Sequence, residues 1–550
     1  MFRVFRFNAW TAFVTVIALL IASPVLFVLS SIFTNSSQVW GHLAATVLPG
    51  YLKNSLLLML GVGLGVFLIG VGTAWLVTMC RFPGSRWFEF LLLLPLAAPA
   101  YILAYVYTEW LEFYGPVQSS LRAIFGWTAV GDYWFPSIRS IGGAIALLIL
   151  TLYPYVYLLV RVSFLEQATC MLEASRSLGC NPWRSFLTVA LPLARPAIMA
   201  GLALALMETL NDFGTVQYFG VDTFTTGIYR TWFGMGERVA AAQLAAVLML
   251  FILGLILLEL WSRRQAKYYQ SNSRFKQLNP FQLKGIRAVL AFFACCIPVF
   301  FGLLLPGILL FKMTLENLQT LFDKRFFEFA GNSLLVATIT GVLAIVIALV
   351  MAYGVRLKPS LGMRLSVQIS AMGYAIPGSV IAVGTLIPLG RFDNAIDSFM
   401  RSTFGISTGL LLSGTITALI FAYLVRFLAV SFGAVNSSLS KIKPSLDDAA
   451  RSLGHNPTST LVKVHTPIMW GGLLTAGMLT FVDVMKELPA TLVVRPFNFD
   501  TLAVRVYNLA ADERLAEAAG PALALVAVGM LPVLFMSLKI AQSRHNSVDL

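Results

Sequence analysis

The sequence contains little charge and few residues of the kinds that bind metals or form disulfides. Only 12% of its 550 residues are charged and 58% are hydrophobic, whereas soluble globular proteins carry about 25% charged and about 45–50% apolar residues. This composition excludes a water-soluble fold, intrinsic disorder and a coiled-coil rod. Five cysteines without metal-type spacing and four histidines indicate neither a disulfide framework nor a metal cluster. An integral membrane protein remains.

Sequence motifs for nucleotide and peptide hydrolysis are also missing. No Gly-Lys pair occurs, so the chain has no phosphate-binding GxxxxGK[ST] loop, and it has no HExxH. One GxSxG does occur, from Gly405 to Gly409, but it lies in a predicted outer loop without the strand-to-helix turn that exposes a nucleophile. We interpret it as a chance match. The chain is therefore predicted not to be an enzyme and to bind no cofactor of its own.

Long apolar runs dominate what is present. A bilayer core about 30 Å thick needs about 20 apolar residues of helix. Twelve such runs lie near residues 10–33, 55–79, 88–110, 139–163, 195–213, 240–261, 287–311, 332–356, 365–390, 409–432, 470–486 and 518–540. The sequence predicts an all-α polytopic membrane protein with about twelve transmembrane helices.

The basic residues predict the orientation of these helices. If the N-terminus is cytoplasmic, the inner segments hold 25 of the 39 Lys and Arg residues, as the excess of positive charge in cytoplasmic loops requires. Both termini are therefore predicted to lie inside. The same asymmetry explains the net charge of +14, so no nucleic-acid partner is needed to account for it. The partner that surrounds the spans is membrane lipid.

The chain repeats one unit twice. The segment Glu173–Gly179 recurs as Asp448–Gly454, 275 residues later, and Asn54–Leu57 recurs as Asn332–Leu335, 278 residues later. Each half carries six predicted spans in the same orientation, which makes two parallel six-helix repeats. The predicted domains are a first half at 1–262 with its core at about 50–261, a cytoplasmic linker at 263–287, and a second half at 288–550 with its core at about 328–538.

The longest predicted inner loops are the repeated ones, at 164–194 and 433–469. Each is predicted to form a short helix, a glycine break and a second helix. In the first loop Gly179 suits the positive φ of a helix C-cap, and Asn181 followed by Pro182 suits the start of the next helix. Asn456 and Pro457 repeat that start after the glycine of the second loop. Such an elbow at a membrane surface is suited to docking into another protein.

The residues of both loops resemble the cytoplasmic signature of binding-protein-dependent ABC importer permeases, Glu-Ala-Ala followed by Gly and then Leu-Pro. The corresponding positions are Glu173, Ala174, Ser175, Gly179, Pro192, Asp448, Ala449, Ala450, Gly454 and Pro467. Three positions depart mildly from the signature, with Ser175 for Ala, Asp448 for Glu and Thr466 for Leu. The resemblance implies the type I permease fold of ABC importers and assigns these residues to coupling helices. It also implies two ABC ATPase subunits as partners, which use ATP-Mg, and a periplasmic or lipid-anchored substrate-binding protein.

An acidic pair ends the predicted span that follows each loop. Glu208 with Asp212 and Asp483 with Glu487 are each spaced i, i+4, which places both carboxylates of a pair on one helix face. Carboxylates within spans usually face a pathway or a partner, and oxygen ligands suit a hard ion. The pairs either line a translocation pathway, without permanently binding a metal, or are neutralised as structural pairs by Lys486 or loop arginines.

The segments around these acids resemble the fused ferric-iron permeases of ABC importers. They are Glu208–Thr215, Phe224–Arg230, Lys486–Thr491 and Arg495–Leu502. The resemblance implies ferric iron as the cargo and the bacterial cytoplasmic (inner) membrane as the location. Two alternatives stay open: a permease for thiamine or another small solute, and a secondary transporter of the major-facilitator type, which shares the twelve spans but does not need twin loops.

Overall fold

The computed structural model describes residues 9–34, 37–166, 175, 179, 181–264, 280–318 and 324–545, most of them in helices. Up to residue 264 the helices are α1 (Ala9–Ser30), α2 (Ser37–Thr46), α3 (Leu48–Met79), α4 (Ser85–Leu91), α5 (Ala100–Leu111), α6 (Pro116–Phe125), α7 (Ile141–Glu166), α8 (Pro182–Ser185), α9 (Leu191–Leu193), α10 (Arg195–Asn211), α11 (Gly214–Tyr218), α12 (Phe224–Tyr229) and α13 (Arg238–Arg264).

The remaining helices are α14 (Ile286–Val299), α15 (Leu305–Glu316), α16 (Lys324–Leu357), α17 (Leu361–Ser370), α18 (Gly378–Phe404), α19 (Ile416–Ser440), α20 (Ser445–Ser452), α21 (Pro457–Thr460), α22 (Thr466–Ile468), α23 (Trp470–Lys486), α24 (Pro489–Val494), α25 (Leu502–Ala511) and α26 (Leu515–His545). Two short strands, β1 (Cys80–Arg81) and β2 (Phe281–Gln282), pair in parallel.

The helix lengths confirm a polytopic all-α membrane protein. Within the described ranges, eight helices are long and apolar enough to cross a membrane, and the number rises to twelve if each of four bent helix pairs is one span. The predicted count of about twelve therefore holds when the bent pairs are included. The inward placement of both termini stays a prediction.

Two of the predicted spans are not single straight helices in the structure. In the region predicted as 88–110, the helical segments before and after Pro99 meet at 89°, and in the region predicted as 365–390 those around Pro377 meet at 116°. Both prolines have extended backbone, with ψ of 138° and 142°. A proline donates no backbone N–H and its ring clashes with the preceding helical turn. The helix therefore ends there and a new one begins in another direction.

The chain forms two compact units that do not follow its two sequence halves. Unit one contains Met1–Trp40, Ile228–Val247 and Phe322–Arg505, and unit two contains Gly41–Gly227, Leu248–Leu321 and Val506–Leu550. The first span, α1, thus belongs to the unit built mainly from the second half. The boundary between the sequence repeats at 263–287 stays a prediction, and residues 265–279 lie outside the described ranges.

Unit one is built on three mutually packed helices, α16, α19 and α23. Between two of them, the buried hydroxyls of Ser431 and Thr480 hydrogen-bond at 2.7 Å. Helix α1 packs along α17 and α18, and its Thr15 hydroxyl lies 3.2 Å from that of Ser366. At Gly384 the backbone of α18 comes so close to α1 that an added Cβ would lie 2.4 Å from the Pro24 carbonyl oxygen.

Unit two has the corresponding core of α3, α7 and α10. Helices α3 and α7 approach each other closely at glycines of α3. A Cβ on Gly65 would lie 2.1 Å from Ile149, and one on Gly70 would lie 2.7 Å from Val156. These glycines therefore serve helix packing, as small residues do in membrane proteins. Helices α15 and α26 pack against each other, and α26 also contacts the helical turn Leu94–Ala97.

One contact shows the repeat in three dimensions. Within unit two, the Asn54 side-chain amide donates to the backbone carbonyl of Asp222 at 2.9 Å. Within unit one, Asn332 donates to the carbonyl of Asp500 at 3.1 Å. Each asparagine tethers the start of a long helix to a loop located the same number of residues, 168, further along the chain.

The contact at Gly384 predicts a large effect for a single methyl group. We expect Gly384→Ala to destabilise unit one by about 1–3 kcal/mol, because the new Cβ meets a backbone carbonyl that cannot rotate away. Gly390→Ala on the same helix is the matched control, since an added Cβ there has no atom within 4 Å. Thermal unfolding of the purified variants measures both. Equal midpoints for the two variants would contradict the packing described for α1 and α18.

Candidate functional site

The second elbow contains the helix ends that its sequence predicts. Helix α20 ends in a Schellman motif, in which the Gly454 N–H donates to Arg451 O at 2.9 Å and the His455 N–H donates to Ala450 O at 3.0 Å. Gly454 has the predicted positive φ, +83°. The Asn456 side chain then accepts from the Ser459 N–H at 2.7 Å and starts α21. Both predicted caps are confirmed.

The first elbow repeats these features where the structure describes it. Gly179 has a φ of +80°, and the Asn181 side chain accepts from the Arg184 N–H at 2.8 Å. The buried Ser175 hydroxyl lies 2.7 Å from that of Ser185, which ties the motif serine to the second helix of the elbow. Glu173 and Ala174 lie outside the described residues.

A wide helical turn follows in each elbow, and the sequence did not predict it. Residues Phe186–Ala190 and Leu461–His465 are both π-helical, 275 residues apart. Each turn ends two residues before a motif proline, Pro192 or Pro467, whose ring would crowd the carbonyl of the preceding turn in a regular α-helix. The chain then bends by 71° and 82° into α10 and α23. Single π turns are frequent at functional sites.

Motif residues of the second elbow divide into a buried and an exposed set. Ala450 is buried, whereas Asp448, Ala449, Gly454 and Pro467 are exposed. Beside them Leu453 is 80% exposed, and in the first elbow Trp183 is 66% exposed. Large apolar side chains exposed beside polar residues are typical of protein–protein contact sites. These two exposed side chains are available for contact with another protein.

A buried ionic network fastens the second elbow to unit one. Asp447 accepts from Arg356 Nε at 2.8 Å, forms an ion pair with Arg356 Nη2 at 2.6 Å and contacts His465 Nε2 at 2.6 Å. Burial alone would raise the pKa of the Asp447 carboxyl, but the hydrogen bonds from Arg356 and His465 outweigh it and hold this pKa below its usual value. The position equivalent to His465 is Ala190, so the first elbow has no counterpart of the histidine.

The acidic pairs differ from the predicted geometry. Helix α10 ends at Asn211 and α23 ends at Lys486, so the second acid of each pair stands past the helix end with extended backbone, with ψ of 130° for Asp212 and 126° for Glu487. The expectation that each pair shares one helix face is therefore wrong. Both carboxylates instead turn to the next short helix.

In these positions the second acids accept hydrogen bonds from backbone N–H groups at a helix start. Asp212 accepts from the Val216 N–H at 3.0 Å and from the Thr215 hydroxyl at 2.9 Å. Glu487 accepts from the N–H groups of Ala490 and Thr491, both at 2.9 Å. A carboxylate at a helix N-terminus satisfies amides that lack intrahelical partners and favours the helix dipole.

Glu487 also forms a buried ion pair. Its Oε1 lies 3.1 Å from Arg426 Nη1, with side chains 1% and 6% exposed. Gly378 leaves room for the pair, since a Cβ there would lie 2.6 Å from both of these atoms. Among the described residues, Asp212 has no ion-pair partner. Glu487 therefore fits the structural alternative, with a helix arginine as its partner rather than Lys486 or a loop arginine.

The first acids of the pairs have exposure like that of Asp212, and only Glu487 is more deeply buried. Glu208 and Asp483 are both half-buried, and Glu208 accepts from the Asn211 side chain at 3.4 Å. Within the part of the chain that the structure describes, no three His, Cys, Asp or Glu side chains are grouped so that they could hold a metal ion. The convergence of the two pairs on one cavity stays a prediction.

Sequence reasoning missed two buried ion pairs. Arg426 lies inside α19, and Arg161 inside α7 pairs with Glu89 of α4 at 2.8 Å. Both arginines lie within predicted spans, although the count of 25 inner basic residues includes them. The available signal was a charged residue within a predicted span, which usually has a partner or a function. Their partners could not be identified because the paired residues are 61 and 72 positions apart in the sequence.

Comparison with known proteins identifies related permeases. Residues 61–266 match the family described as binding-protein-dependent transport system inner membrane component. The Fe(3+)-transport system permease protein FbpB 2 of Haemophilus influenzae is 25% identical over 88% of this chain and 89% of its own length. The ferric transport system permease protein FbpB of Actinobacillus pleuropneumoniae is 23% identical over 98% and 79%. The molybdenum permease ModB of Escherichia coli K12 is 28% identical over 36% and 84%.

The positive φ of Gly454 predicts different outcomes for two substitutions. An added Cβ has open space there, so only the backbone conformation restricts the residue. Valine in this left-handed backbone conformation should destabilise the helix end by about 1–2 kcal/mol, whereas asparagine adopts the conformation readily. We expect Gly454→Val to release the ATPase subunit that the sequence resemblance implies and Gly454→Asn to retain it, as measured by co-purification. Equal retention by both variants would contradict the role of the helix end.

The same pair of substitutions at Gly179 reports on the first elbow. We expect Gly179→Val to be the more damaging of the two valine variants, because the sequence around it is nearer to the family signature. Normal transport by a double Gly179→Val, Gly454→Val variant would refute the coupling role of both elbows.

The Arg426–Glu487 pair predicts a loss of stability rather than of selectivity. Glu487→Gln should destabilise the protein by about 3–5 kcal/mol, because it leaves the buried guanidinium without a counter-charge. The double variant Arg426→Met, Glu487→Gln should recover part of the yield, because no buried charge remains. Asp483→Asn, four residues earlier and half-buried, is the control. Monodisperse yield after purification measures all three, and a normal yield of Glu487→Gln would exclude a structural role.

Proposed function

Because the chain is a multi-pass inner-membrane permease of the binding-protein-dependent ABC importer family, we propose that it carries ferric iron into the cytoplasm. The observation that carries this proposal is similarity to ferric transport permeases over nearly the whole chain. The matches to molybdenum and sulfate permeases reach only 36% and 28% of it. A thiamine or other small-solute cargo is the alternative.

We infer that each elbow receives one ATPase subunit, so that the complex contains two. The two exposed apolar tips, at Trp183 and Leu453, support this stoichiometry. The buried network of Asp447 fixes the second elbow to the long helix α16, which gives a rigid route from a docked subunit to the transmembrane core. ATP-Mg is used by these partners, and a periplasmic or lipid-anchored protein delivers the cargo. Both termini are then cytoplasmic.

We assign the pathway role to the first acid of each pair rather than to all four, because the second acids hold helix starts. Glu208 and Asp483 are half-buried carboxylates near the ends of equivalent helices. Asp212 and Glu487 hold helix starts in place, and Glu487 is neutralised by Arg426. A transporter must release its ion, so a few accessible carboxylates suit the passage of a trivalent cation better than a closed coordination cage.

Native mass spectrometry of the tagged complex tests the partner stoichiometry. We expect two ATP-binding subunits for each copy of this chain and no ATP hydrolysis by the purified chain alone, because it lacks a phosphate-binding loop. A complex with a single ATPase copy, or ATPase activity that persists in the isolated chain, would refute the proposal.

Iron uptake by cells that carry neutralised acids tests the pathway. We expect Glu208→Gln with Asp483→Asn to lower ferric uptake by about tenfold, since charged clefts raise the local concentration of an oppositely charged substrate. Membrane level and ATPase association should stay normal. The exposed Asp512→Asn is the matched control. Wild-type uptake in the double variant would remove these acids from the pathway and leave the importer assignment intact, because that rests on the family.

A further inference from the structure

Unit one contains a cavity of about 620 Å³ that the proposed transport mechanism does not use. Its walls come from the end of α1, the start of α13, the middle of α18 and the loop before α19. The cavity and the second elbow lie at opposite ends of α19, which has 25 residues and is therefore roughly 37 Å long. If the elbow is cytoplasmic, as proposed above, the cavity lies on the outer side.

The charged side chains of this cavity are all positive. Arg238 and Arg391 line it, and none of the described residues in its walls is acidic. Neither arginine forms an ion pair with a described residue, although Arg401, further along the same helix as Arg391, pairs with Asp397 at 2.7 Å. The cavity therefore concentrates two guanidinium groups that have no counter-charge among the described residues.

Two acids stand next to cavity residues in the sequence: Glu237 does not line the cavity, and Asp393 is occupied elsewhere. Asp393 is fully buried, and its carboxylate accepts from the Ser413 hydroxyl at 2.6 Å and from the backbone N–H groups of Leu412 and Ser413 at 3.1 and 2.8 Å. These bonds fold the loop that forms one wall. The carboxylate consequently builds the cavity without neutralising it.

Both arginines are held against aromatic rings. The guanidinium carbon of Arg391 lies 5.4 Å from the centre of the Phe27 ring, and that of Arg238 lies 5.7 Å from the Trp232 ring. Cation–π contacts of this kind restrict a guanidinium to one plane and leave its edge N–H groups available. Asn394 and Ser30 add uncharged hydrogen-bonding groups to the same walls.

Hydrogen bonds connect two of the elements that form the cavity walls, α13 and the end of α1. The Gln243 side-chain amide of α13 donates to the backbone carbonyls of Ser31 at 3.3 Å and Thr34 at 2.9 Å. These hydrogen bonds join the start of α13, which contains Arg238 and follows Trp232, to the end of α1. The cavity is thus a preformed site, as ligand-binding cavities usually are.

From this arrangement we propose that the cavity binds an oxyanion, a carboxylate or a phosphate, between Arg238 and Arg391. The planar fork of a guanidinium matches the two oxygens of these groups. A bare ferric ion would be repelled here, so the site does not belong to the cation pathway assigned to Glu208 and Asp483. The oxyanion is carried by a soluble anion or by a lipid headgroup at the membrane surface.

Binding measurements on the full-length protein in nanodiscs test this proposal. Citrate and inorganic phosphate are the soluble probes, phosphatidylcholine is the neutral membrane, and phosphatidylglycerol is the anionic one. Quenching of Trp232 fluorescence, isolated by subtracting a Trp232→Phe variant, reports occupancy beside Arg238. We expect Arg238→Gln with Arg391→Gln to weaken binding by at least about tenfold, since each lost charge-assisted hydrogen bond has that effect.

Arg401→Gln is the matched control, because Arg401 lies on the same helix but is paired and does not line the cavity. Saturable binding of citrate or phosphate in neutral nanodiscs, lost only in the double variant, assigns the site to a soluble anion. Retention of phosphatidylglycerol that depends on both arginines assigns it to a lipid headgroup. Binding unaffected by the double variant, or no binding in either membrane, overturns the proposal.

Discussion

A backbone amide inside a membrane must find its hydrogen-bond partner within the protein, because the lipid offers none. Long helices such as α3 and α16 meet this constraint by themselves. Every interruption of a helix creates N–H groups that need another acceptor. The side chains with the clearest roles, Asp212 and Glu487, supply acceptors at two such interruptions. Their positions follow from the need to end one helix and begin the next.

The two halves meet the same constraint with different chemistry. Glu487 carries a second role as the partner of a buried arginine, whereas Asp212 relies on hydrogen bonds alone among the described residues. The elbows differ in the same way, since the Asp447–His465 contact has no histidine counterpart near Ala190. Equivalent positions in the two repeats thus carry different contacts. The additional contacts stabilise one copy, and the copy without them is more adaptable.

The sequence predicted those features that depend on residues close in the chain. Helix caps at Asn181 and Asn456 and the turns at Gly179 and Gly454 are local, so composition and spacing were enough. The breaks at the two span prolines have a local cause, the proline itself, which the hydropathy of the runs does not show. The pairing of Arg426 with Glu487 depends on the neighbouring helices, and no local pattern encodes it. The arginine cavity was missed for the same reason, because its walls come from four separate segments.

The placement of α1 has a consequence for how the protein is made. Its contact from Thr15 to Ser366 joins residues 351 positions apart, so α1 enters the membrane long before its packing partners are synthesised. Contacts of such separation form late and leave early segments exposed to other chains. During this interval α1 must be shielded by lipid or by the insertion machinery. Unit one is completed only after α17 and α18 are inserted, so neither sequence half can finish folding separately.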